Sequence, residues 1–184
     1  MYLKSFLSNE KITFLILIRR GLTMVKINMD TIILDPNPVL RVQCESVKLP
    51  LSDEDKSTLL DMLQYVRDSR DEELAEKYNL QPANGIAAPQ VGVAKQMTAI
   101  VVDLVNKDGQ DITVEYALVN PKIVSHTVKQ AALGYGEGCL SVREVHEGLV
   151  PRAQRIKVQA YDLIQDKEVT IVAKDLLAIV TSLS

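Results

Sequence analysis

The clearest periodicity in the chain begins at Ser52. Leu59, Leu60, Met62, Leu63 and Val66 recur at helical spacing and predict a helix with one buried face. The Ser52 hydroxyl is suited to accept from a first-turn amide, and Asp53, Glu54 and Asp55 favour the positive end of the helix dipole. A second, shorter helical stretch runs from Asp71 to Tyr78, and 79–84 reads as loop. The period then changes. Thr98-Ala99-Ile100-Val101-Val102 is a run suited to a buried strand. Further strands are predicted at Ile112–Val119, Lys122–Val128, Ile156–Tyr161 and Glu168–Val172, with Asp108-Gly109 as a hairpin turn. Between Ile156 and Ala160 apolar and polar residues alternate, which predicts a sheet with one wet face. Leu176 to Val180 reads as the first turns of an apolar helix.

Upstream, Ile32 to Asn37 reads as a short extended piece leading into a turn at Asp35-Pro36-Asn37-Pro38, where each proline restricts the residue before it. Asn37 as cap and Pro38 at the first helical position predict a short helix there, with Val39 and Val42 as its buried face. Helices first, strands after and a helix at the end give an α+β class, with mixed or antiparallel sheets packed around helices.

Composition narrows the picture. A chain of 184 residues with 47% apolar and 24% charged side chains suits one domain with a real core. Net charge is −3 and the basic residues are scattered along the sequence, so no direct nucleic-acid binding is expected. Two cysteines, Cys44 and Cys139, make no disulfide framework; the expected compartment is reducing and cytoplasmic. Aromatics are 4% with no Trp, so aliphatic side chains carry the core.

At the amino end, Ile12 to Ile18 is apolar but far shorter than a bilayer span, and no membrane association is expected. Lys4 and Lys11 lend it the look of a signal peptide, yet Arg19-Arg20 follow directly and no small-residue cleavage site is visible. Arg-Arg is encodable as AGGAGG, the purine run with which bacterial messages engage the ribosome, and it stands at a suitable spacing before Met24. The expectation is that translation starts at Met24, that residues 1–23 are a non-native extension, and that 24–184 form a single domain.

Two short stretches carry chemistry. In Gly136-Glu137-Gly138-Cys139-Leu140-Ser141 a cysteine stands among small residues beside a carboxylate. A thiolate is a soft donor for iron or zinc. Taken alone, a single cysteine is more commonly a buried structural residue than a metal ligand. The second stretch, Ala83-Asn84-Gly85-Ile86-Ala87-Ala88-Pro89-Gln90, sets small side chains before an amide that donates two hydrogen bonds. An ordinary turn amide is the bland reading of Gln90.

Together these stretches resemble the first two signature motifs of peptide deformylases, Glu-Gly-Cys-Leu-Ser and Gly-x-Gly-x-Ala-Ala-x-Gln; the first glycine of the latter is Ala83 here. Asn37-Pro38-Val39-Leu40-Arg41, Leu118 to Ile123 and Leu149-Val150-Pro151-Arg152 extend the likeness, which covers roughly Met24 to Val180; the residues around 65–82 and the longer loop between Cys139 and Pro151 resemble the Gram-positive (second) type. The resemblance implies removal of the formyl group from the N-terminal methionine of nascent peptides by metal-bound water, beside the ribosome, by a monomer. It implies Cys139 as a metal ligand, for Fe²⁺ or Zn²⁺, Ni²⁺ or Co²⁺. Gln90 and the Leu140 backbone N–H would act on the formyl oxygen, and Asn84, Gly85 and Gly138 would bind the peptide. An Arg152–Glu137 pair would brace the cysteine loop.

The third motif of that family, a helix bearing His-Glu-x-x-His, is not found in these 184 residues. The two histidines are His126 and His146. His146-Glu147-Gly148-Leu149-Val150 imitates the start of the motif, but Val150 stands where the second histidine belongs and Gly148 argues against a helix. The expectation is therefore a peptide deformylase homologue, C-terminally truncated before the His-Glu-x-x-His motif so that its catalytic helix is incomplete, and inactive as given, with no later element to pack against that helix and the inner sheet faces left uncovered. The alternatives are a non-catalytic module that binds formyl-peptides or N-termini, and a non-functional gene remnant that does not fold stably.

Overall fold

The computed structural model describes residues 27–134, 136–144 and 148–183. Residues 1–23, with the proposed start at Met24, and His146-Glu147 lie outside them. Among the described residues three helices, α1 (Asp53–Asp68), α2 (Glu72–Tyr78) and α3 (Asp175–Leu183), accompany seven strands. The strands are β1 (Gly85–Ala87), β2 (Met97–Val105), β3 (Asp111–His126), β4 (Gln130–Ala131), β5 (Arg152–Ala153), β6 (Arg155–Asp162) and β7 (Lys167–Lys174). The main sheet has the order β1-β2-β3-β6-β7 and every pairing in it is antiparallel; β4 and β5 form a separate pair. This is the α+β arrangement that the pattern of periods predicts.

Local chemistry explains the helix ends. Ser52 caps α1 by accepting from the Asp55 N–H at 3.1 Å. Asp71 caps α2 in the same way through Leu74 N–H at 3.0 Å, and Asn79 ends it in the left-handed conformation at φ 54°. The buried face of α1 is Leu59, Met62, Leu63, Tyr65 and Val66. Leu60, predicted for that face, is 41% exposed, because it stands about 100° round the helix from Leu59 and nothing covers that side. Tyr65 takes the inner position instead and donates its hydroxyl to the Gln81 carbonyl at 3.1 Å. The short helix at 38–40 is a single 3-10 turn, capped by Asn37 through Val39 N–H. It buries none of its residues and Val42 is exposed, so the predicted apolar face is absent: one turn is too short to form one.

The strands predicted at 112–119 and 122–128 are one strand, β3, whose register shifts between Val119 and Lys122 and again between Ile123 and Ser125. The first shift coincides with Asn120, held at φ 51° with its amide bonded to both N–H and C=O of Val47. A bulge of this kind bends a strand without ending it.

A helix packs on part of each face of the sheet. On one, α1 packs Leu59, Met62, Leu63 and Val66 against Ile86, Ala99, Val101, Ala117 and Val119. On the other, Leu177, Ala178 and Val180 of α3 pack with Ile100, Val102, Leu118, Ile156, Val158 and Ala173. The expectation that the inner sheet faces are left uncovered is corrected where α3 lies: the helix packs on the sheet itself, and Ala178 is fully buried there. No described helix is long and apolar enough to cross a membrane.

Candidate active site

The chain enters β1 from a loop and leaves it by a tight 3-10 turn over Ala88–Val91. That turn swings Gln90 back on itself: its Oε1 accepts from the Ala87 N–H at 2.9 Å, which fixes the amide plane and aims Nε2 the other way. There Nε2 lies 3.8 Å from Cys139 Sγ and 3.5 Å from Ser141 Oγ. The two motifs, about fifty residues apart in sequence, therefore meet at one point. Leu140, between Cys139 and Ser141, buries its side chain in the core under α1. This anchor keeps Cys139 on the outside: the cysteine is exposed, which corrects the buried structural reading. The Leu140 N–H makes no hydrogen bond to a described residue.

The approach to Cys139 is braced by charge. Arg152 Nε and Nη2 donate to Glu137 Oε1 and Oε2 at 2.7 and 2.8 Å, a bidentate fork from β5 to the residue two before the cysteine. The Glu137 side chain is only 8% exposed and that of Arg152 25%. The hydrogen bond to Glu137 raises the Arg152 pKa above its already high ordinary value, so the pair remains ionic. Gly136 begins this loop at φ +82°, a conformation that suits glycine.

A feature outside the sequence reading ties the halves together. Ile33 N–H donates to the Gln90 carbonyl and Asp35 N–H to the Ser141 carbonyl, both at 2.9 Å. The extended piece 33–35 is thus a strap across both motifs. Its bonds are main-chain bonds, and no side-chain pattern announces them. Asn84 is exposed at the entrance to β1, with its carbonyl accepting from Val101 N–H at 2.9 Å; Gly85 is half-buried and pairs with Ile100, and Gly138 is exposed. β1 is the outermost strand of its sheet.

Comparison with known proteins resolves what the cysteine loop belongs to. The family model for polypeptide deformylase matches residues 29–182. A peptide deformylase of Ligilactobacillus salivarius is 47% identical over 143 residues, covering 78% of this chain and 76% of that protein. Peptide deformylase 2 of Bacillus subtilis is 46% identical over 137 residues, covering 74% and 72%. The crystal structure of peptide deformylase from Ehrlichia chaffeensis superposes with a TM-score of 0.64 at 28% identity, covering 83% of this chain and 78% of that one. This chain belongs to the peptide deformylase family.

Peptide deformylases are metal-dependent hydrolases. Among the described residues, however, no group of three or more His, Cys, Asp or Glu side chains is placed to hold a metal ion. The neighbours of Cys139 Sγ are an amide and a hydroxyl. His126 sits exposed on β3 opposite Ile156, with its Nδ1 3.4 Å from the Thr127 carbonyl. His146 lies outside the described residues. The described donor set does not fit a three-ligand metal site.

Proposed function

We propose that this chain recognises the formylated N-terminal methionine of a nascent peptide and holds its formyl oxygen between the Gln90 amide and the Leu140 N–H. The observation that carries the reading is the aimed amide: Gln90 is locked by Ala87 and points Nε2 at the Cys139–Ser141 loop. Fixed donors converging where charge develops are what acyl hydrolysis needs. The peptide itself would lie along the outer edge of β1, meeting backbone groups of Asn84, Gly85 and Gly138 in the manner of an added strand. The chain would work as a monomer in the cytoplasm, beside the ribosome.

Turnover is a separate matter. The family's reaction uses metal-bound water, and in that scheme Cys139 would supply one ligand to Fe²⁺ or another divalent ion whose other two ligands would be imidazoles. The 184 residues contain only His126 and His146 and no His-Glu-x-x-His sequence. A polypeptide of these residues alone therefore binds substrate without cleaving it. The burial of Leu177, Ala178 and Val180 between α3 and the sheet favours such a folded binder over a remnant that does not fold.

Calorimetric titration with formyl-Met-Ala-Ser tests the reading. Saturable binding, lost on Gln90→Leu while the thermal unfolding midpoint holds, is expected. So is the absence of formate release with stoichiometric Fe²⁺ under anaerobic conditions. Robust turnover would overturn the non-catalytic part, and binding indifferent to Gln90 would overturn the site.

A further inference from the structure

Four cations that are scattered in the sequence share one exposed sheet face. Tyr161 of β6 pairs with Val119 of β3, which packs under α1, so alternate positions from Tyr161 back along β6 lie on the α1 side. Beyond the reach of α1, that side carries Lys122 on β3, Arg155 and Lys157 on β6, and Lys174 on β7, all exposed. Same-side neighbours along a strand stand roughly 7 Å apart and adjacent strands about 4.8 Å apart. The four charges therefore fall in a patch on the order of 15 Å across.

The arrangement costs stability. Arg155 and Lys174 are direct cross-strand partners, and like charges directly opposite weaken a sheet. The only acid along the paired β6–β7 rungs of this side is Glu168, three rungs away opposite Tyr161. None of the four cations forms an ion pair or side-chain hydrogen bond with a described residue. Elsewhere the same chain matches Arg41 to Asp35, Arg67 to Glu115, Arg70 to Asp103 and Lys95 to Asp55. A protein of net charge −3 thus leaves one face uncompensated.

We propose that this face docks on the phosphate backbone of RNA. The partner class rests on the reading that the substrate is a peptide still being made, which is met beside RNA. The chemistry of the face agrees. Gln159 and Thr170 supply hydrogen-bonding groups between the cations, and Val172 is the only apolar residue among the β6 and β7 positions of the patch, whereas adsorption to an anionic bilayer draws on a broad apolar face as well. No aromatic ring is offered for stacking, since Tyr161 is half-buried with its hydroxyl tied to Asp166. Contact is therefore with a double-stranded stem, through phosphates and without sequence preference.

Fluorescence anisotropy with a labelled RNA hairpin of about 16 base pairs tests this. Four phosphate contacts on a duplex give a slope of log K against log salt of about −3.6, hence binding about 150-fold weaker at 200 mM than at 50 mM salt. Lys174→Glu is the decisive variant. It turns the Arg155 repulsion into an attractive pair, so the thermal unfolding midpoint holds or rises while RNA affinity falls at least tenfold; Lys107→Glu, the same charge change at the β2–β3 turn, leaves affinity unchanged. Unaltered affinity in Lys174→Glu, a flat salt response, or capture by phosphatidylserine vesicles with RNA left unbound would each overturn the proposal. Formyl-peptide titration of the same samples separates the two readings: peptide binding without RNA binding overturns the docking face alone, and RNA binding without peptide binding supports the face while refuting the substrate assignment.

Discussion

The Glu137–Arg152 fork makes an asymmetric prediction. Arg152→Ala strands a carboxylate whose side chain is 8% exposed, whereas Glu137→Ala strands a guanidinium that is 25% exposed and long enough to swing into water. Removing one partner of a fully buried pair costs about 3–5 kcal/mol. Water reaching the Arg152 side lowers this to about 2–3 kcal/mol for Arg152→Ala. The opposite truncation costs about 1–2 kcal/mol, the scale of lost charge-assisted hydrogen bonds at a partly wet site. For a chain of this size each kcal/mol moves Tm by roughly 2–4 °C, so Arg152→Ala falls by about 4–12 °C and Glu137→Ala by about 2–8 °C. The double variant, with no orphaned charge, falls by less than the sum. Calorimetric unfolding of the three variants completes the cycle. Equal losses from the two single variants, or additivity within about 0.5 kcal/mol, would refute the claim that the carboxylate depends on this one arginine.

Two further outcomes follow from the packing. Lys95 donates to Asp55 at 2.6 Å; this bond, helped by Ser52, depresses the Asp55 pKa below its ordinary 3.8, while Asp55 raises that of Lys95 above 10.5. The Asp55 contribution is present above pH 3.8 and lost as pH falls through the depressed value, and the Lys95 contribution is present below pH 10.5 and lost as pH rises through the raised one. Tm followed from pH 7 to pH 2 should therefore fall less steeply in Asp55→Asn than in the parent, and parallel acid limbs would contradict the pairing. Ala178 is fully buried between α3 and the sheet, so Ala178→Leu overpacks that contact by about 1–3 kcal/mol and lowers Tm by roughly 2–12 °C; an unchanged Tm would take α3 off the sheet.

How much of this was readable before any coordinates depends on the range over which each feature is encoded. Ser52 and Asn37 cap their turns through hydrogen bonds to residues two or three positions on, and the sequence alone locates both; Asp71, read as the first residue of its helix, is instead the cap that precedes it. The alternation in β6 was legible for the same reason, since a strand with one wet face writes its period into consecutive residues. Leu60 and Val42 were misread because periodicity specifies a face but not whether anything arrives to cover it. The cysteine loop lies between these cases. Its residues are recognisable as a motif, yet the approach of Gln90 to Cys139 and the strap from Ile33 and Asp35 are contacts across tens of residues, the latter made by backbone atoms that every residue possesses.

The basic face is the extreme instance. Lys122, Arg155, Lys157 and Lys174 span more than fifty positions and look like ordinary solvated charges in the sequence. Only the β3-β6-β7 order, with the shift after Val119 that turns Lys122 toward the α1 side, gathers them. A count of charges along the chain therefore argues against a polyanionic partner, and the sheet register argues for one. The register is the stronger warrant, because electrostatic attraction depends on where charges stand in space, within about one Debye length of 8 Å in physiological salt, and not on their order along the chain.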